Sequence, residues 1–219
     1  MSTNIDSAVD DMLLNLAERL EDEAANEFSA DIKLDALNEA QTVLVNMLHD
    51  EYLTELEVSE EWNQSSDQPK FNKGRYNIGS LSNTVLGGSS GIRHVRNTSN
   101  AKYLSRISPT EVKMFDSAMV STDLDDPYYM VFGNEILLVP TTSQETMPID
   151  VLYLKHPIRL DVLGGCDLNS SLHHLIIGLA EGYCWRMVED TTRQNNIEGS
   201  VANEITILNA KYSGGKENV

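Results

Sequence analysis

Gly87-Gly88-Ser89-Ser90-Gly91 carries the G-x-S-x-G spacing of a nucleophile elbow. In that motif a sharp strand-to-helix turn exposes the serine hydroxyl, and an acid and then a histidine follow later in the chain. Here the residues sit in a polar Gly/Ser-rich stretch that runs into Ile92-Arg93-His94-Val95, a β-leaning sequence. The strand–helix alternation of a hydrolase is missing, so the spacing predicts a flexible loop and no catalytic residue. His173 and His174 are adjacent on a predicted helix, so their side chains diverge by roughly 100° and cannot share one ion. Glu181 lies two turns beyond His174, outside the i, i+4 pairing of metal-binding helices. His49, His94 and His156 have no partner at a useful spacing. The acidic clusters Glu21-Asp22-Glu23, Glu60-Glu61 and Asp123 to Asp126 lack the loop pattern of a calcium site and read as solvated acid. With no P-loop and no G-x-G-x-x-G, no metal, nucleotide or other cofactor is expected.

Charge narrows the partners. The 219 residues carry 16 basic and 34 acidic side chains, a net charge of −18. Such a surface repels a phosphate backbone. From Gln68 to Thr110 there is no Asp or Glu, yet Lys70, Lys73, Arg75, Arg93, Arg96, Lys102 and Arg106 are present. That segment is +7 within a chain of −18, which leaves −25 on the rest. The split predicts a positive patch that meets an acidic surface on a neighbour, with Arg93 and Arg96 as contact residues. Cys166 and Cys184 show neither metal spacing nor a disulfide framework and are read as reduced cytosolic thiols. The polar, acidic N-terminus is unlike a secretory signal, and no apolar run is long enough to span a bilayer.

The elements follow from periodicity. Ser7 to Leu20 reads as a helix with Ser7 and Asp10 at N-cap and N3, and with Val9, Leu13, Leu16 and Leu20 on one stripe. Glu21 to Glu27 is acidic and is expected to fray. A longer helix is predicted from about Ile32 to Leu53, capped by Asp31, with a solvated acidic end from Asp50 to Glu61. Trp62 to Asn100 is rich in Asn, Ser and Gly and is predicted to be a long loop ordered by function or a partner. Short strands are expected within it near Tyr76–Ile78 and Ile92–Val95. Tyr103 to Ile107 reads as a strand. Ser108-Pro109-Thr110-Glu111 reads as a capping box opening a short helix through Met114 and Phe115. Tyr128 to Leu154 changes to period two. It gives a hairpin turning at Gly133-Asn134, with positive φ at both turn residues and Pro140 ending its second strand. A third strand carries Ile149, Val151 and Tyr153 and closes at His156-Pro157.

Asn169 to Thr191 is the most helical stretch, capped by Asn169 or Ser170. Leu172, Leu175, Ile176, Leu179, Ala180, Tyr183 and Met187 form one stripe. The opposite side carries Ile177, Cys184, Trp185 and Val188, with Gly178 and Gly182 one turn apart. A helix apolar on two faces is covered twice, by a second core layer or by another subunit. A subunit or partner interface is therefore placed at Arg93, Arg96, Ile177, Gly178, Gly182, Trp185, Val188 and Tyr212. Asn195-Asn196 predicts a turn before a last helix from about Ile197 to Tyr212. Its stripe is Ile197, Val201, Ile205, Leu208 and Tyr212, and it precedes a tail with nothing to bury. The fold class expected is α+β and mainly helical: residues 7–61 and 169–212 as a helical bundle, 62–160 as a loop-rich antiparallel β insertion, and 213–219 as a flexible tail.

This order of elements, with Leu37-Asn38-Glu39-Ala40-Gln41, Asn134 to Pro140 and Val151 to Pro157 as its most characteristic pieces, resembles the head-to-tail adaptor (connector) proteins of tailed bacteriophages. The resemblance covers about Asp31 to Tyr212. It implies a structural virion protein without enzymatic activity, made in the host cytoplasm and placed at the head–tail neck. It further implies a homo-oligomeric ring of twelve copies beneath the portal protein, with a tail or nozzle protein at its other end. DNA would pass through the lumen without sequence-specific binding, and no membrane is involved. The C-terminal helix pair and tail would face the portal, with Trp185 buried on docking. The alternatives are another neck or tail-completion protein and a small serine hydrolase using Ser89.

The sequence predicts no hydrolase chemistry. An activity-based fluorophosphonate is expected to leave Ser89 unlabelled, and labelling that disappears in Ser89→Ala would contradict this.

Overall fold

Helices form where the apolar period is 3.6 and strands where it is two. The computed structural model describes residues 8–22, 27–62, 71–72, 75–111, 128–139, 148–162 and 164–213. Among these, four helices are α1 (Ala8–Arg19), α2 (Ala30–Met47), α3 (His173–Met187) and α4 (Thr191–Ser213). Eight strands are β1 (Glu57–Trp62), β2 (Phe71–Asn72), β3 (Arg75–Asn77), β4 (Ile92–Asn97), β5 (Lys102–Tyr103), β6 (Tyr128–Phe132), β7 (Glu135–Val139) and β8 (Ile149–Leu154). The fold is α+β. The chain divides into two units, Met1–Leu56 with Pro157–Val219 and Glu57–His156.

In the helical unit α3 is central and packs against α1, α2 and α4. Leu175, Ile176, Ile177, Ala180, Cys184 and Trp185 are all buried. Both apolar faces of α3 are thus largely covered within its own unit, with Leu179 and Tyr183 half-buried and Met187 and Val188 exposed at its end. Asn169 caps a 3-10 turn, Ser170–Leu172, by accepting from Ser171 N, and α3 starts at His173. The predicted turn at Asn195-Asn196 does not form. Asp190 caps α4 instead, its carboxylate accepting from Arg193 N at 3.0 Å, with Glu189 at φ 61° just before it. Asn costs a helix only about 0.7 kcal/mol per residue, whereas burying Val201 and Ile205 on α3 stabilises by about 1.5–3 kcal/mol each.

Helix α2 is shorter than its periodicity predicts. Ser29, not Asp31, is its N-cap, accepting from Ile32 N at 3.3 Å. It ends at Met47, where Asn209 of α4 donates to Met47 O at 2.8 Å and accepts from His49 N at 2.7 Å. The chain then continues as 3-10 turns, Asp50–Tyr52 and Thr54–Leu56.

Asp22 departs from the expectation of frayed, solvated acid, while residues 23–26 lie outside the described residues. Asp22 is buried, and its carboxylate lies 3.1 Å from Lys33 Nζ, with both side chains only 5% exposed. It also accepts from Glu27 N at 3.1 Å and Phe28 N at 2.9 Å, while Lys33 Nζ donates to Asp22 O at 2.7 Å. The acid is retained inside because each partner is a donor it would otherwise find in water.

In the β unit two antiparallel sheets have strand orders β1-β8-β4-β5 and β2-β3-β7-β6. They contribute to one core that includes Trp62, Tyr76, Val95, Tyr129, Ile136, Leu138, Val151 and Tyr153. Trp62 and Tyr76 stack at 5.4 Å and join the sheets. The expected long loop therefore supplies strands and core residues, Tyr76, Ile92 and Val95 among them. The acidic stretch before it is β1, whose alternation buries Trp62 and exposes Glu57, Ser59 and Glu61. Glu60 faces the core side, where it accepts from Ser82 N at 2.8 Å and from Trp62 Nε1 at 3.3 Å. The β6–β7 hairpin has a two-residue turn, but only Gly133 has positive φ (59°). Asn134 instead donates its side-chain amide to Asn77 at 2.9 Å and accepts from Ile78 N through its carbonyl. The predicted strand at Tyr103 to Ile107 shrinks to β5 and a bridge at Arg106. At the capping box Glu111 accepts from Ser108 N at 2.6 Å, and this bond, the largest cause, holds its carboxyl below the usual range. Ser7, Met114, Phe115, Asp123 to Asp126, Pro140 and residues 214–219 lie outside the described residues.

Lys33→Met should cost about 3–5 kcal/mol in urea denaturation, because it leaves a buried carboxylate without its counter-charge. Asp22→Asn in the same chain should recover part of that loss. Equal stability of wild type and Lys33→Met would show that the pair contributes nothing.

Candidate interaction surfaces

Two polar residues of α2 organise one face of the helical unit. Asn38 accepts from Leu160 N at 2.7 Å and donates to Leu160 O at 3.2 Å, so its amide pairs with backbone as a strand would. Gln41, one turn later, donates to Ile158 O at 2.9 Å. Arg159 reaches Asp35 at 2.6 Å, and Asp167 accepts from Ile158 N at 2.9 Å. An extended strap, 158–160, is thereby laid along α2. Both polar residues belong to Leu37-Asn38-Glu39-Ala40-Gln41, whose spacing otherwise reads as ordinary helix.

On another side, α2, α3 and α4 leave a groove of about 350 Å³ lined by Val43, Met47, Leu179, Tyr183 and Ala202, with Glu39, Arg186 and Glu198 also along it. Val43 and Met47 are 37% and 38% exposed. The Arg186 guanidinium lies 4.7 Å over the Tyr183 ring, an apolar–cationic rim suited to protein contacts. At the far end of α4, Tyr212 stacks on His49 at 5.5 Å and meets Tyr52 edge-on at 5.0 Å, yet stays 41% exposed.

The residues expected at an interface fall into three groups. Ile177, Gly178, Gly182 and Trp185 are buried in the helical unit. The two glycines admit α4: a Cβ on Gly178 would sit 2.7 Å from Val201 Cγ2, and one on Gly182 would sit 3.0 Å from Glu198 Cγ. Trp185 meets Phe28 edge-on at 6.3 Å and lies under the Arg193 guanidinium at 4.4 Å. Its burial needs no docking event, contrary to expectation. Val188 and Tyr212 remain accessible. Arg93 and Arg96 lie half-buried in β4, Arg93 at the bulge between Ile92 and His94. Arg96 pairs with Asp150 at 2.9 Å, and Arg75 reaches Glu135 at 3.6 Å. Part of the positive segment is therefore answered by acids of its own unit.

The residues first weighed for chemistry have local roles. Ser89 sits in a 3-10 turn, Gly88–Gly91, that leads into strand β4 and not into a helix. Ser90 Oγ donates to Gly87 O at 2.8 Å. His173 bonds Leu168 O at 3.1 Å, and His174 bonds Glu204 at 2.7 Å across α3 and α4. Among the described residues no group of three or more His, Cys, Asp or Glu side chains gathers as a metal site. Burial pushes the Cys184 thiol up to about 11, and burial also raises Cys166, whose Sγ lies 3.5 Å from Gln41 Oε1. Comparison with protein-family models gives no match. Comparison with curated proteins gives none either.

Sequence reasoning missed the clamp of Asn38 and Gln41 and the inward Glu60. Polar residues on the inner face of an otherwise apolar helix or strand were the available signal.

Gly178→Ala should destabilise by about 1–3 kcal/mol through overpacking against Val201. Gly182→Ala should stay within about 1 kcal/mol of wild type, because the flexible Glu198 can yield and Ala favours the helix. Thermal melts of the two variants check this. Equal losses would remove the steric account of α3–α4 approach.

Proposed function

We propose that this protein is a head-to-tail adaptor: a structural virion protein that forms a ring beneath the portal and joins capsid to tail around the DNA channel. In this reading the helical unit is a bundle that carries the β unit as an insertion. The observation that carries it is the convergence of two segments far apart in sequence. Asn38 and Gln41 of Leu37-Asn38-Glu39-Ala40-Gln41 hold the backbone that immediately follows Val151 to Pro157. These are two of the three pieces on which the adaptor resemblance rests.

The electrostatics support the same reading. A lumen through which DNA slides must not retain phosphates, and a chain of −18 satisfies that condition. A ring requires two different complementary surfaces on each copy, which an uneven charge distribution can supply. In this reading the protein is no enzyme and takes no cofactor. The groove between α2, α3 and α4 is offered as the portal-facing surface, together with the exposed Val188 after α3 and Tyr212 at the far end of α4. Membership of the neck as a tail-completion protein is the second reading, because the same charge and fold suit any ring in the DNA path.

Antibody labelling of purified virions should place the protein at the neck. Negative-stain images of the chain mixed with portal should show a ring stacked on the portal. Absence from intact virions would overturn both readings, whereas labelling at the neck without portal binding would favour the tail-completion protein.

A further inference from the structure

The groove between α2, α3 and α4 holds one charge that nothing answers. Glu39, Val43 and Met47 stand one turn apart along α2, so one wall of the groove reads carboxylate, apolar, apolar. All three are exposed. Of the other charged residues along the groove, Glu198 accepts from Gln194 Nε2 at 2.9 Å, and Arg186 lies over the Tyr183 ring. The Glu39 carboxylate meets no cation or donor among the described residues.

The matching feature lies on the other flank of α4. Arg19, Lys33, Arg159 and Arg193 each reach a carboxylate of the helical unit, and Arg186 has its ring. Among the described lysines and arginines of that unit, Lys211 alone has no such partner. It is exposed, and Ile207, one turn before it, is 56% exposed. At roughly 100° per residue, Lys211 falls on the opposite side of α4 from Ala202, which lines the groove. The groove and the Ile207–Lys211 knob therefore face different ways.

We propose that the last turns of α4 from a second copy of this chain dock in this groove, antiparallel to α2, with Lys211 against Glu39 and Ile207 against Val43. Both pairs are spaced by four residues, about 6 Å along either helix, so one register joins cation to carboxylate and apolar to apolar. Run parallel, the same ion pair would set Ile207 on the Asp35–Arg159 pair instead. Because the two surfaces lie on opposite flanks, two copies joined this way keep one groove and one knob free, and the contact is heterologous. The occupant follows from charge and spacing and does not rest on the adaptor reading. The groove holds one occupant at a time, so a portal that uses it displaces the neighbouring copy.

Sedimentation velocity of the full chain without portal tests the contact by charge exchange. Glu39→Lys opposes two cations there, and Lys211→Glu opposes two carboxylates. Each should raise the concentration for half-association by roughly threefold or more. An equimolar mixture of the two should return it to the wild-type value, because alternating copies then join opposite charges at every contact. E39K/K211E should associate alone as wild type does. Ile207→Asp should weaken association by roughly tenfold or more, since it removes the apolar half of the contact. All three positions are exposed, and circular dichroism checks that the variants stay folded. Unchanged association in the single variants, weakening without recovery on mixing, or a wild-type chain that stays monomeric to millimolar concentration each overturns the contact. None of these outcomes touches the adaptor reading, which stands or falls on the labelling of virions and the imaging on the portal.

Discussion

Helix α3 has no polar face large enough to leave in water, and the helical unit is arranged around that constraint. Covering such a helix requires elements on every side. The chain supplies α1 and α2 from before the β unit and α4 from after it. Gly178 then acquires a purpose, since a side chain there would press on Val201 and hold α4 away. The same demand overrides the Asn195-Asn196 pair in α4. The Asp22–Lys33 pair fits this frame: it joins the end of α1 to the start of α2 in the layer behind Cys184, whose thiol is raised chiefly by burial and lowered in part by Lys33.

The β unit solves a different problem. Its sequence is polar, and its core depends on a small number of large side chains, Trp62, Tyr76, Tyr129 and Tyr153 among them. Burial alone pushes the Tyr76 hydroxyl far above its ordinary range, in keeping with a ring placed for packing and not for chemistry. Charge inside this unit is matched locally, Arg96 with Asp150 and Arg75 with Glu135. Exposed Glu57 and Glu61 lie on β1, and exposed Lys102 and Arg106 lie on and just after β5 at the other margin of the same sheet. A net charge of −18 is therefore a poor description of the surface any partner meets, because sign depends on which edge is approached.

The legible parts were those whose period is long and unbroken. The α3 stripe, the β6–β7 hairpin and the alternation of Ile149, Val151 and Tyr153 are local patterns, and local sterics enforce them. The illegible parts turned on contacts between residues far apart in sequence. Glu57 to Trp62 reads as helix-end acid until β8 is beside it, and Trp62 to Asn100 reads as loop because its core residues are sparse. The end of α2 is set by Asn209, well over a hundred residues away.

By itself the sequence determined the α+β class, the positions of the main helices and the uneven charge, because each depends on residue type and short-range spacing. Tertiary structure alone decided what covers each face of α3, which cations are already paired, and that Asn38 and Gln41 hold a strap. Each of these depends on what stands opposite a residue, and periodicity carries no record of the opposite partner. A buried carboxylate and a solvated one are the same letter until a lysine is, or is not, brought within about 3 Å of it.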